Sequence, residues 1–177
     1  TIGIYDESLH QRDLYAEQLI EEFPRAIEEK QFQVYYQPKF DVRPDIPILS
    51  SAEALVRWVH PELGIISPGV FIPLFENNGL IQQLDNYVWE ETAKQIRDWK
   101  DSLGYCVPVS VNVSRVDVYD ADIIPKIRGI VSRYGLTCSD LVLEITESAY
   151  TEDSRQIIET VNKFRQIGFK IEMDDFG

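Results

Sequence analysis

The second half of the chain alternates strand patterns with helical patterns at a regular interval. The strand patterns are VPVSVNVS, DLVLEITES and FKIEMDDFG, and the helical patterns between them are DADIIPKIRGIVSRYG and TEDSRQIIETVNKFRQIG. This alternation predicts parallel strands joined by right-handed crossovers. The strands are almost continuously apolar, which indicates that both faces of the sheet are covered. The sequence therefore predicts an α/β protein.

The first half of the chain adds two strand patterns and several helices. The strands are FQVYYQPKFDV and ILSSAEALVRWVHP, which brings the predicted strands to five. A short helix follows Ser67, and an amphipathic helix covers residues 80–103. The N-terminal segment has a helical period, but Pro24 lacks the amide that a helix interior needs. We therefore expect a linker helix over residues 1–23 and a new helix over residues 24–30.

Strands of this kind fit either an open doubly wound sheet or a barrel. The glycine-rich turn GxGxxG, which binds phosphate groups in many open sheets, follows none of them. Polar residues occur instead near the C-terminal ends of the strands, where barrel enzymes place their active sites.

Composition excludes several classes of function. A net charge of -13 over 177 residues repels polyanions, so we expect no binding to DNA or long RNA. No apolar stretch approaches the roughly 20 residues of a membrane-spanning helix, and no signal-peptide pattern is present, so we expect a cytoplasmic domain. Further domains could still tether a longer protein to a membrane. The spacing of Cys106 and Cys138 matches no metal or redox motif, and neither His10 nor His60 has a catalytic partner in sequence.

Four oxygen-bearing side chains lie inside or at the end of apolar strands. They are Glu53, Asn112, Glu144 and Asp174, each on a different strand. Strand alternation places Asn112 and Glu144 opposite their apolar neighbours, so these side chains could converge on one point. Oxygen donors without histidine or cysteine suit Mg²⁺ or Mn²⁺ rather than zinc. With Asp175 adjacent to Asp174, a second ion is plausible.

Other interpretations compete with this metal site. Neighbouring acids are common in a chain with 30 Asp and Glu residues, so the pair DD can also be a solvated loop feature. Internal salt bridges, such as one between Glu53 and Arg57 on the same strand face, would account for part of the set. Glu147 has the wrong parity to share the face of Glu144, so we expect it just beyond the strand end.

The chain resembles the EAL domain family, bacterial phosphodiesterases that linearise cyclic di-GMP. The resemblance covers residues 24–177 and depends on six motifs in the family's order. They are YYQP at 35–38, EALVRW at 53–58, PGVFIPLFENNGLI at 68–81, VNVS at 111–114, LEITES at 143–148 and DDFG at 174–177. The resemblance implies a barrel similar to the TIM type with one antiparallel strand, of which the chain contains about the first five strands. It also implies that residues 1–23 are similar to the helix that joins an upstream GGDEF domain to an EAL domain.

The resemblance assigns a role to each candidate residue. The implied metal ligands are Glu53, Asn112, Glu144, Asp174 and Asp175, of which Glu53, Asp174 and Asp175 are also catalytic. Gln37 and Arg57 are similar to the substrate-contacting positions, and Glu147 resembles a glutamate that braces the loop after DDFG. The implied reaction uses two Mg²⁺ or Mn²⁺ ions to hydrolyse cyclic di-GMP to linear pGpG, in a homodimer and with a GGDEF or sensor domain upstream.

The resemblance leaves alternative functions open. A catalytically inactive receptor could bind cyclic di-GMP without cleaving it, and a shorter piece could act only in folding or interaction. A barrel of this type needs eight strands and about 250 residues. We therefore expect the natural protein to continue beyond Gly177, with a catalytic lysine and further ligands on later strands.

Overall fold

The computed structural model describes the backbone of residues 7–146 and 154–174, and the side chains of residues 10–145 and 155–173. The chain divides into two compact units. The first unit comprises Thr1–Gln33 and Arg57–Leu80, and the second comprises Val34–Val56 and Ile81–Gly177.

The helices and strands follow the predicted alternation. The helices are α1 (Glu7–Glu28), α2 (Pro68–Asn77), α3 (Ile81–Leu103), α4 (Arg115–Val118), α5 (Ile123–Arg133) and α6 (Ser154–Gln166). The strands are β1 (Phe32–Asp41), β2 (Ile48–His60), β3 (Gly64–Ile66), β4 (Val109–Val113), β5 (Leu141–Thr146) and β6 (Ile171–Asp174). All five predicted strands are present, and the sequence reasoning missed only the short elements β3 and α4 among those described.

The sheet has the order β1-β2-β4-β5-β6, with β3 paired to β2. Strand β4 is parallel to both β2 and β5, and β5 is parallel to β6, whereas β3 is antiparallel to β2. The predicted parallel crossovers are therefore confirmed, and the protein is a mixed α/β protein with a parallel-strand sheet.

The core of the second unit forms where alternate strand residues pack against helices. Val109, Val111 and Val113 of β4 are almost completely buried, as are Leu143 and Ile145 of β5. Helices α3, α5 and α6 contribute apolar residues to the same cluster. Complete burial of a Val, Leu or Ile side chain contributes about 1.5–3 kcal/mol, so this packing fixes which strand face is apolar. The opposite face is left for the polar residues.

The first unit contains a cluster of aromatic side chains. Phe23 of α1, Phe32 of β1, Trp58 of β2, and Phe71 and Phe75 of α2 are all buried. Ring centroids lie 4.7 Å apart for Phe23 and Phe75, and 4.8 Å apart for Phe32 and Trp58. This tilted and edge-on packing is the arrangement that aromatic quadrupoles favour.

Helix α1 continues through Pro24, so the expected restart of the helix at this proline is wrong. A proline inside a helix costs about 3 kcal/mol, because it removes one hydrogen bond and crowds the preceding turn. Leu19, Phe23 and Ala26 are fully buried on either side of Pro24, and this packing offsets the cost. The domain boundary that we placed at Pro24 stays a prediction.

His60 is a structural residue of the first unit. Its ring is buried, and its Nδ1 accepts hydrogen bonds from the backbone N–H groups of Glu62 and Leu63, each at 3.1 Å. Since Nδ1 acts as an acceptor, Nε2 carries the hydrogen atom. Nε2 donates a hydrogen bond to the carboxylate of Glu22 on α1. That contact with His60 lowers the pKa of Glu22.

Two of the predicted helix ends show the expected glycine conformation. Gly104 after α3 and Gly135 after α5 have φ of 78° and 61°. This left-handed conformation is easily adopted only by glycine, and it allows the N–H of Leu136 to bond the carbonyl of Val131 at 2.9 Å. The helical pattern TEDSRQIIETVNKFRQIG predicts a cap at Thr151, and this residue lies outside the described ones. Among the described helices, none is long and apolar enough to cross a membrane.

Candidate functional site

The strand register brings several polar residues into neighbouring rows of the second unit. Glu53 of β2 pairs with Ser110 of β4. Two residues further along β4, Asn112 pairs with Glu144 of β5. Glu144 in turn pairs with Glu172 of β6. The polar residues therefore lie on adjacent strands rather than at scattered positions.

Lys39 of β1 joins two of these acids. Its Nζ lies 2.6 Å from Oε1 of Glu144 and 3.2 Å from Oε2 of Glu53. The Glu144 side chain is only 4% exposed, whereas those of Glu53 and Lys39 are 21% and 37% exposed. Three strands thus contribute one charged group each to a partly buried cluster, which we call the Lys39 cluster (Lys39, Glu53 and Glu144).

The electrostatics of the Lys39 cluster follow from burial and proximity. Burial raises the pKa of Glu144, and the charge of Glu53 adds to this rise, while the bond from Lys39 opposes it. Burial lowers the pKa of Lys39, but the contacts with Glu144 and Glu53 outweigh burial and leave it raised. Oε2 of Glu144 is buried and has no hydrogen-bond partner among the residues that the structure describes. A buried carboxylate oxygen without a partner is costly, and a bound ligand would remove this cost.

Helix α3 fixes the end of β4 that carries Asn112. Trp89 of α3 donates a hydrogen bond from Nε1 to the backbone carbonyl of Asn112 at 3.0 Å. Asp85, one turn earlier on α3, accepts a hydrogen bond from the backbone N–H of Ser114. The Asn112 side chain itself is exposed, on the face opposite the buried valines of β4. The position of Asn112 is therefore set by two contacts with one helix.

Asp85 and Asp117 form a buried acid pair beside this contact. Both residues are buried, and Asp85 Oδ2 has no hydrogen-bond partner within residues 10–145 and 155–173. Ser114 bonds the Asp117 carboxylate, and it also caps α4 by accepting the N–H of Asp117 at 3.3 Å. Burial raises the pKa of Asp85 well above its ordinary value of 3.8, and the hydrogen bond and charge of Asp117 raise it further. The buried surroundings therefore favour the neutral form of the Asp85 carboxyl group.

Replacing Asp85 with asparagine is expected to change how stability depends on pH. The pKa of Asp85 is raised in the folded state. Its contribution to the free energy of unfolding is therefore fully present below the unfolded-state pKa of 3.8, and it is lost as the pH rises through the folded-state pKa. Asp85→Asn keeps a neutral polar group at all pH values, so the variant should lack this loss. We expect it to exceed the wild type in unfolding free energy by about 1 kcal/mol near pH 7, with the gap closing toward about pH 4.

Urea denaturation across this pH range measures the difference. Asp120→Asn is a control of opposite sign, because the bond with Lys126 lowers the pKa of Asp120 and its contribution is lost as the pH falls. Parallel pH profiles for the wild type and Asp85→Asn would contradict the raised pKa of Asp85.

The other predicted site residues do not belong to the Lys39 cluster. Gln37 is exposed on β1 in the second unit, and Arg57 belongs to the first unit. Asp174 ends β6 and pairs with Thr146 in register, but its side chain lies outside the described ones. Asp175 and Glu147 also lie outside the described residues. The roles assigned to these residues, and the ligand set as a whole, stay predictions.

Sequence reasoning missed Lys39 and Glu172. Lys39 is two residues after Gln37, and Glu172 is two residues before Asp174, so strand alternation places each on the face of a residue that was selected. Glu172 is 31% exposed at its side chain and contacts Lys170. Burial raises the pKa of Glu172. The net shift is nevertheless downward, and the contact with Lys170 is its largest cause.

The donors of the Lys39 cluster fit a hard divalent cation. Within the described residues no group of three or more His, Cys, Asp or Glu residues could hold a metal ion. Two of the predicted ligands, Asp174 and Asp175, have side chains outside that set. The carboxylates of Glu53 and Glu144 supply oxygen donors, and Oε2 of Glu144 lacks any other partner. These properties suit Mg²⁺ or Mn²⁺.

The chain belongs to the EAL domain family, because the family model described as EAL domain matches residues 20–177. EAL domains have a TIM-barrel-like fold, so the predicted fold class is confirmed.

Two similar relatives have cyclic di-GMP phosphodiesterase in their names. The chain is 36% identical over 160 residues to the bifunctional diguanylate cyclase/cyclic di-GMP phosphodiesterase MucR of Pseudomonas aeruginosa, covering 90% of this chain and 23% of the relative. It is 33% identical over 153 residues to the cyclic di-GMP phosphodiesterase PdeR of Escherichia coli, covering 86% of this chain and 22% of the relative. The chain thus spans less than a quarter of the length of either protein.

A solved structure described as the PaMucR phosphodiesterase in complex with c-di-GMP has a similar fold. The TM-score is 0.83 and the identity is 35%, covering 90% of this chain and 64% of the solved one. The full name of MucR also includes a diguanylate cyclase activity.

Proposed function

We propose that the protein is a metal-dependent phosphodiesterase that hydrolyses cyclic di-GMP to linear pGpG. The observation that carries the proposal is the convergence of Glu53 and Glu144, from two strands, with a buried Glu144 oxygen that has no partner in the described part of the chain. Membership of a family whose relatives are named cyclic di-GMP phosphodiesterases supports the substrate.

Each candidate residue has a defined task in this proposal. Glu53, Asn112, Glu144 and Asp174 hold one Mg²⁺ or Mn²⁺ ion, and Asp175 serves a second. Such ions polarise a phosphodiester and lower the pKa of a bound water. Burial of Glu144 keeps bulk water away from one ligand, and the contact of Trp89 with the Asn112 carbonyl orients another. Gln37 and Arg57 bind the substrate, and Glu147 braces the loop that follows.

Further parts of the proposal concern the whole protein. They are a homodimer, an upstream GGDEF or sensor domain and a cytoplasmic active site. The diguanylate cyclase activity in the name MucR supports the upstream domain. The division between residues 1–23 and 24–177 belongs to the same proposal.

Turnover measured on the full-length protein tests the function. Cyclic di-GMP is incubated with the protein and Mg²⁺, and pGpG is separated by chromatography. We expect Mg²⁺-dependent formation of pGpG that stops when a chelator removes the ion. Tight binding of cyclic di-GMP without any turnover in Mg²⁺ or Mn²⁺ would instead identify a receptor.

Replacing Arg57 with alanine tests the substrate contact. The planar guanidinium binds phosphate with two hydrogen bonds, and a bond to a charged group contributes about 1.5–3 kcal/mol. We expect Arg57→Ala to weaken cyclic di-GMP binding by roughly ten- to a hundredfold, with a smaller effect on the metal affinity. Calorimetric titration measures the affinity.

Arg43→Ala is the matched control for the loss of one arginine. Its guanidinium is 88% exposed and pairs locally with Asp41. Equal affinities for the wild type and Arg57→Ala would show that Arg57 does not contact the substrate.

A further inference from the structure

Lys39 occupies the position between the two acids that the proposed function assigns to a metal ion. Its ammonium contacts Oε1 of Glu144 at 2.6 Å and Oε2 of Glu53 at 3.2 Å. These acids come from β5 and β2, and they have different degrees of exposure. One internal cation therefore contacts both carboxylates and offsets part of their negative charge in the metal-free protein.

A divalent ion and the ammonium compete for the same oxygens. Mg²⁺ and Mn²⁺ require carboxylate oxygens at about 2.0–2.2 Å, and two cations sharing one pair of carboxylates repel each other strongly in a partly buried site. The ammonium contacts one oxygen of each acid, and the other oxygen of Glu144, Oε2, is buried without a hydrogen-bond partner among the described residues. Binding of a divalent ion by both acids therefore requires the ammonium to leave.

The side chain of Lys39 is able to leave. Its charge sits at the end of a flexible four-carbon stem, and 37% of the side chain is already exposed. A rotation of the outer bonds returns the ammonium to water without moving the strand. Glu53 and Glu144 stay where the sheet register and their burial hold them.

We propose that Lys39 is an internal counterion that keeps Glu53 and Glu144 together in the metal-free protein and is displaced when a divalent cation binds. Lys39 thereby sets the metal affinity, because every binding event breaks its two contacts. This inference rests on the proposed metal site, but it concerns a residue that none of the site roles above includes. The affinity for a divalent cation then depends on a residue of β1 as well as on the acids of β2 and β5.

Replacing Lys39 with methionine tests the inference with Mn²⁺ alone as the probe. Methionine keeps the length of the stem and removes the charge. We expect Lys39→Met to bind Mn²⁺ about ten- to a hundredfold more tightly than the wild type, because no ion pair has to be broken. The metal-free variant should melt at a lower temperature, and Mn²⁺ should raise its melting temperature more than that of the wild type.

Lys126→Met is a closely matched control. The Lys126 side chain is 39% exposed and lies 2.6 Å from Oδ2 of Asp120, away from the Lys39 cluster. We expect it to leave the Mn²⁺ affinity unchanged. Lys39→Gln, which keeps a polar donor, provides a second neutral variant and should also tighten Mn²⁺ binding.

The outcomes separate this inference from the proposed function. If Glu144→Gln abolishes Mn²⁺ binding but the two Lys39 variants bind Mn²⁺ with unchanged or weaker affinity, the metal site stands and the counterion is overturned. If Glu144→Gln binds Mn²⁺ as the wild type does, or if no variant binds it, the metal site and the counterion are both overturned. Tighter binding by both Lys39 variants, with the Lys126 control unchanged, supports the inference.

Discussion

Glu144→Gln is expected to lower the Mg²⁺-dependent hydrolysis of cyclic di-GMP by about 10³-fold in kcat/KM. A bound metal ion contributes several kcal/mol of transition-state stabilisation, and about 1.4 kcal/mol corresponds to a factor of ten. Glutamine has the shape of glutamate but carries no charge, so it is a poor ligand for a hard cation. The fold should survive, because burial already raises the pKa of Glu144 and a neutral side chain suits that environment. Steady-state kinetics at saturating Mg²⁺ measure the loss.

The comparison needs two further variants. Glu159→Gln, at an exposed position of α6, removes one negative charge away from the site and should leave kcat/KM unchanged. Glu53→Ala removes the other acid of the Lys39 cluster and should abolish turnover while leaving the fold intact. Retention of wild-type turnover by Glu144→Gln would show that Glu144 is not a ligand.

Trp58→Ala is expected to reduce the unfolding free energy by about 4 kcal/mol, the largest stability change that we anticipate. Trp58 is completely buried, with ring centroids 4.8 Å from Phe32 and 5.9 Å from both Phe71 and Phe75. The substitution leaves a cavity among these rings. It also removes the 2.9 Å hydrogen bond from the indole Nε1 to the side-chain oxygen of Gln31. Denaturant titration followed by circular dichroism measures the change.

Trp58→Phe separates the two causes. It fills most of the cavity but leaves the buried Gln31 oxygen without its donor, which costs about 1–3 kcal/mol. We therefore expect a loss between zero and that of the alanine variant. A loss below about 1 kcal/mol for Trp58→Ala would mean that the aromatic cluster does not stabilise the first unit as its packing suggests.

Much of the fold could be predicted because the sequence patterns are local and strong. The apolar runs around Val111 and Leu143 and the glycines at 104 and 135 predict elements whose ends agree with the structure. Helix α1 shows where such reasoning fails, because tertiary burial of Phe23 and its neighbours overrides the local effect of Pro24. Strand β3 and helix α4 have only three and four residues, too few to show a period.

The candidate site could be predicted only where a polar residue interrupts an apolar strand. Glu144 and Asn112 stand out for this reason, and the register confirms that they are neighbours. Lys39 does not stand out, because β1 is mixed in character and a lysine near a strand end normally lies in solvent. Its ion pair with Glu144 joins residues 105 positions apart, a separation that no local pattern encodes.

The attachment of β4 to helix α3 has a consequence for how this chain tolerates insertions and deletions. The carbonyl of Asn112 is held by Trp89, which precedes it by 23 residues, so its anchor lies upstream in the chain. Extra residues in the connection after α4 leave both the strand and its anchor untouched. A one-residue deletion within α3 would instead rotate Trp89 and Asp85 by about 100° around the helix axis and release the end of β4. Relatives that keep a working asparagine at this position should therefore vary in the length of the later connection, but not in the spacing along α3.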